Sequence, residues 1–207
     1  MSAQISAQTS AQTSAQTGTP PTAGFLDWWF APWDLGAAPP TFAQRASPLA
    51  RRHGYRLWCD AAGVPADLPP SFDSGWQVAA VSDAALLRHA ARLYAAMLAA
   101  RTARPVPLAT LPLAERRWCM AIATTQPLQA LTQPDPATTL EAWGLAELAG
   151  ALEAGFAGLW PRLRIVLGMD AIEVSPDTTA AAAAARRLRC WRLCLDRAAQ
   201  HDFREAA

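Results

Sequence analysis

Leu86–Leu98 reads LLRHAARLYAAML, and its spacing decides the fold class. Leu86, Ala90, Leu93 and Met97 recur at intervals of three and four residues, while Leu87, Tyr94 and Leu98 widen the same face. A strand would alternate with period two, so this pattern predicts a core helix over about 83–103. Ser82 is placed to cap it, and Arg88, Arg92 and Arg101 mostly face outward.

Helical punctuation continues on both sides. Ser47-Pro48 predicts a helix start, with Ser as N-cap and Pro in the first turn, and Gly63 and Pro65 end that helix near Ala62. Arg51, Arg52 and Arg56 mark its wet face, with Leu57 and Trp58 turned inward. The piece WQVAAV, 76–81, reads as a short strand or a helix lead-in. Glu115–Leu131, ERRWCMAIATTQPLQAL, joins an Arg-Arg-Trp patch to a short apolar helix and a second helical piece opened by Pro127. Its wet side is Glu115, Arg116 and Gln129. The run QPDP at 133–136 breaks the helix. Thr138 or Thr139 restarts it, and Leu145, Leu148, Leu152, Phe156 and Leu159 carry it to about Trp160, where Pro161 stops it. Ala151, Gly155 and Gly158 form a small-residue groove for another helix. Leu163–Leu167 has strand character and, with AIEV at 171–174, suits a small β-hairpin. A last helix capped by Asp177 or Thr178 runs to about Phe203, with Leu188, Trp191, Leu195 and Ala198 inward and Arg186, Arg187, Arg189, Arg192 and Arg197 as a basic surface. The fold class is mostly α: one helical domain of five to seven helices over 25–207, behind a disordered tail at 1–24.

Composition agrees with one domain. The chain has 207 residues, long enough for one proper core and short for two. Its hydrophobic fraction is 52%, much of it alanine, so nine Trp and six Phe must supply a large share of the buried area. All 18 basic residues are Arg and the net charge is +1, which leaves no global field to attract nucleic acid. Cys59, Cys119, Cys190 and Cys194 read as reduced thiols. No run of about 20 apolar residues offers a membrane span, and the first 23 residues lack the charged and apolar regions of a secretory leader. The expected location is cytoplasmic, without membrane insertion.

Residues 2–17 are four four-residue units, SAQI and then SAQT three times, which cannot bury a core. They read as an inert tail; a Ser/Thr/Gln-rich uncharged start also resembles the export signal of type III secretion substrates. At Phe25 the character changes to FLDWWFAPWDL. That density of large apolar residues packs on the domain as its first element or docks a partner through Trp28, Trp29 and Trp33.

Motifs for chemistry are lacking. There is no phosphate loop, nucleophile elbow or zinc-helix pair. His53, His89 and His201 each stand alone among helix-surface residues. Cys190 and Cys194, four apart, supply too few ligands for zinc. No catalytic, cofactor or metal site is expected. Arg116 and Arg117, with Arg186, Arg187, Arg189 and Arg192, are the candidate partner-binding residues.

The order of elements resembles a known family. LLRHAARLYAAML is followed by ERRWCMAIATTQPLQAL, a Pro break, a helix ending GFAGLWPRLRIVLG and an Arg-rich helix. Carried by Arg116-Arg117, Ala123, Pro127-Leu128-Gln129, Leu131, Trp160 and Arg162-Leu163, this is similar to the SctK (YscK-type) accessory proteins of bacterial type III secretion systems over about residues 80–200. The resemblance implies a helical, non-enzymatic adaptor of the cytosolic sorting platform. It would link the cytoplasmic domain of the inner-membrane ring protein SctD to the pod protein SctQ, peripheral to the inner membrane, with no cofactor. Two rival readings are a type III secreted substrate, from the uncharged start, and a small helical transcriptional regulator, from the Arg-rich last helix.

Overall fold

The helix read from LLRHAARLYAAML is the axis of the structure. A computed structural model describes residues 20–32, 40–44, 47–80, 83–101, 108–169 and 181–205. It contains α1 (Ala23–Phe30), α2 (Pro48–Ala62), α3 (Gln77–Ala80), α4 (Ala84–Ala99), α5 (Leu113–Thr125), α6 (Leu140–Gly155), α7 (Leu159–Val166) and α8 (Ala181–Glu205). Short three-ten turns at Thr41–Gln44, Ser74–Trp76 and Leu108–Thr110 lie between them. The described residues are mostly helical and contain no strand.

α4 packs against α5, α6 and α8 together. That is why Leu93 through Ala99 are buried without interruption, on more than the single face that periodicity suggests. Its alanines at 90, 91, 95 and 96 let neighbours come close. α6 comes closest at Gly144, where an added Cβ would sit 2.0 Å from the carbonyl oxygen of Ala91. On the α8 side, Tyr94 and Trp191 stack with centroids 4.6 Å apart. Cys119, Cys190 and Cys194 fill small apolar volume here, with the Cys194 Sγ 3.6 Å from the Met97 Sδ. Phe25 and Trp29 of α1 meet Phe156 at 5.5 and 5.6 Å, and Phe72 stacks on the same ring at 4.3 Å.

Several boundaries differ from the sequence reading. Asp83 caps α4, its side chain accepting from the Leu86 amide; Ser82 lies outside the described residues. WQVAAV leads into helix: Trp76 closes a three-ten turn and Gln77–Ala80 is α3. The long helix expected to reach Trp160 ends at Gly155: Phe156 leaves the helical region with φ −155° and ψ 73°, and Gly158 then takes φ +84°, a left-handed conformation that glycine tolerates. The chain then restarts as α7. Pro161 therefore does not stop a helix: it sits in the first turn of one, where its missing N–H has no partner to lose. Leu163–Val166, expected as strand, belong to α7, with Leu163 and Leu167 buried. AIEV and the proposed caps Asp177 and Thr178 lie outside the described residues, as does the tail through Thr19.

The second helical piece at Pro127 is also absent. Residues 127–132 are irregular and held by side chains from elsewhere. Leu57, expected inward, is 55% exposed, since α2 contributes only Cys59 to the fully buried set. None of the described helices is long and apolar enough to cross a membrane.

Candidate functional site

The irregular segment after α5 forms the wall of a groove, and side chains of α6 and α8 fix its backbone. From α6, the buried Glu147 accepts hydrogen bonds from the Leu131 amide at 2.9 Å, the Thr132 amide at 2.7 Å and the Thr132 hydroxyl at 2.8 Å. Arg101, just past the end of α4, donates to the Ala123 carbonyl in the last turn of α5 at 3.0 Å. From α8, Arg186 donates to the Pro127 carbonyl at 3.1 Å and Arg187 to the Gln129 carbonyl at 3.3 Å. These bonds replace the i→i−4 ladder that a second helical piece would have made, satisfying backbone groups left open after Pro127.

Between this segment, α4 and α8 lies a cavity of about 910 Å³. Leu98 and Leu128 give it apolar lining, and Arg101, Arg186 and Arg187 give it positive charge. No carboxylate is among the described residues that line it. Such a recess can accept carboxylates through forked N–H donors beside apolar contact. Its side chains provide neither a nucleophile nor an acid–base pair.

The predicted partner-binding residues distribute unevenly around this groove. Arg186 and Arg187 line it. Arg187 was expected on the surface but is 2% exposed, because position 187 shares the inward row of Trp191, Cys194 and Ala198. Arg189 is exposed on α8, and Arg192 donates to the Gly75 carbonyl at 3.2 Å, joining α8 to the turn before α3. On α5, Arg117 is exposed, whereas Arg116 is half-buried with its Nε lacking a hydrogen-bond partner. Leu113 and Met120 are exposed on the same helix. Trp28 and Trp29 are core residues, 5% and 0% exposed, so α1 is the first packed element rather than a free arm; Trp33 lies outside the described residues.

Two polar expectations are corrected. Glu115, placed on the wet side, is buried and meets His89 at 2.9 Å. His89 is accordingly a buried, satisfied histidine tying α4 to α5 rather than a lone surface one. The residues the sequence reading missed are Arg101 and Glu147, the latter a single carboxylate inside the otherwise apolar AWGLAELAG of α6, which was its available signal.

Among the described residues, no group of three or more His, Cys, Asp or Glu side chains is placed to hold a metal ion. The four cysteines are free and buried. Burial pushes the Cys190 thiol up to about 11 and the Cys119 thiol up to about 12. Both lie far from the low values that make a thiol reactive near neutral pH. Comparison with known protein families, with curated proteins and with solved structures finds no match.

Proposed function

We propose that this chain is a non-enzymatic adaptor of the SctK kind in a type III secretion sorting platform, joining the cytoplasmic domain of an SctD ring protein to an SctQ pod protein and so supporting protein export. The observation that carries this reading is a convergence in space. PLQ at 127–129, part of the order of residues that resembles the family, lies against the Arg-rich helix α8 and lines one groove with it. Those stretches are 58 or 59 residues apart in the chain. The groove wall is held in place by side chains of α6 and α8 before any partner arrives, which lowers the ordering cost of association.

Co-purification tests the reading. The tagged full-length chain, expressed with the SctQ and SctD proteins of its own secretion system, should retain at least one of them through gentle washing. Retention of neither sinks the proposal.

A further inference from the structure

The groove carries a statement about the chemistry of its occupant. Arg101 and Arg186 each present a guanidinium with five N–H donors, and the described hydrogen bond of each uses one of them. Neither is buried, so the remaining donors are accessible to a ligand. Leu98 and Leu128 line the same recess, and among its described lining residues no acidic side chain competes for the charge. A single small anion would leave most of the roughly 910 Å³ and its apolar lining unused. A polynucleotide would need stacking surfaces or a longer basic track. The described lining residues include no aromatic side chain, and the whole chain carries a net charge of only +1.

We infer that the groove takes an acidic, aliphatic peptide segment of a partner protein, its carboxylates meeting Arg101 and Arg186 and an apolar side chain resting on Leu98 and Leu128. The inference rests on the adaptor reading for the existence of a partner and adds what the partner must present. Arg187, buried and bonded to the Gln129 carbonyl, is a positioning residue that shapes the wall.

The test uses the full-length protein and fluorescence anisotropy with a labelled peptide of three Glu-Glu-Leu repeats. Its Gln-Gln-Leu counterpart and a nine-nucleotide oligothymidine serve as comparison probes. The acidic peptide is expected to bind saturably and to weaken by about 10-fold or more with Arg186→Glu, since the charge-assisted hydrogen bonds are lost and a like charge replaces them. Arg186→Lys should restore part of the loss, keeping charge without the fork. Arg51→Glu, the same charge change on the wet face of α2, should leave binding unchanged. Melting temperatures of each variant separate lost binding from lost fold; if Arg186→Glu unfolds, Arg101→Gln gives the same comparison.

No saturation of the acidic peptide by about 1 mM overturns the inference. Equal affinity for the Gln peptide, tighter binding of the oligonucleotide, or an equal effect of Arg51→Glu does so too. Self-association of the protein that Arg186→Glu abolishes would assign the groove to a second copy, which also overturns it. The adaptor reading is judged separately: ring or pod protein retained equally by Arg186→Glu and by the unaltered chain removes the groove from the interface while leaving the adaptor standing.

Discussion

Arg162 shows how a single residue can hold distant parts of a small domain together. It is fully buried in α7, with its guanidinium 3.5 Å from the centroid of the Trp29 ring. Its Nε donates to the Trp29 carbonyl at 3.0 Å, one terminal nitrogen to the Gly158 carbonyl at 3.2 Å, and the other to the Tyr55 hydroxyl at 2.9 Å and the Pro65 carbonyl. Burial lowers its pKa from the ordinary value, but the acceptor oxygens and the aromatic face give the charge a set of partners. Removing it would strand several buried acceptors at once. Arg162→Ala is expected to cost about 3–5 kcal/mol in urea unfolding, with Arg162→Lys only partly restoring stability because an ammonium cannot span the same acceptors. The buried thiols give a second expectation at this scale. Unfolded cysteine ionises near pH 8.5–9, whereas burial holds the folded Cys190 and Cys119 protonated up to about 11 and 12. Between those limits the folded state binds more protons than the unfolded one, so stability falls as pH rises. Urea midpoints should be flat in this contribution below about pH 8 and decline from pH 9 toward 11, and Cys190→Ala should flatten the decline.

The α4–α6 crossing is decided by a missing methyl group. Helix propensity favours alanine over glycine by about 1 kcal/mol, so Gly144 weakens α6 locally. A Cβ at that position would lie 2.0 Å from the Ala91 carbonyl oxygen and 2.5 Å from its carbon, both backbone atoms that cannot rotate aside. The steric term wins. Gly144→Ala should therefore destabilise by about 1–3 kcal/mol despite its better propensity. Gly24→Ala in α1, where nothing lies within 4 Å of the added Cβ, should be neutral or stabilise slightly. Paired thermal melts of the two variants read the crossing directly; equal effects would mean that propensity alone governs both sites. The core rows were legible at this scale, because Ala90, Leu93 and Met97 and then Leu145, Leu148 and Leu152 repeat at helical spacing and are all buried. The break at Gly158 and the irregular course of 127–132 were not. Each depends on what the backbone meets after folding: Pro65 beside Gly158, and Glu147, Arg186 and Arg187 around the segment.

On the scale of the whole molecule, the arginines divide between exposed and buried positions. Arg117 is exposed and Arg186 half-buried at the groove, whereas Arg162 and Arg187 lie inside. Charge reversal at Arg117 should weaken capture of the ring or pod protein more than it lowers the melting temperature; equal loss of both would make that stretch scaffold only. Sequence periodicity by itself determined that the chain is mostly helical, where its main apolar rows lie and where α2 and α6 start, since those properties follow from local spacing and capping. Only the tertiary structure decided which polar groups are inside and what they hold. Arg162 reaches a carbonyl 133 residues away, and Arg186 one 59 residues away. The hydrogen-bonding partner of a side chain at such separations leaves no periodic trace in the chain, and desolvation makes that partner obligatory only once packing has brought the two together.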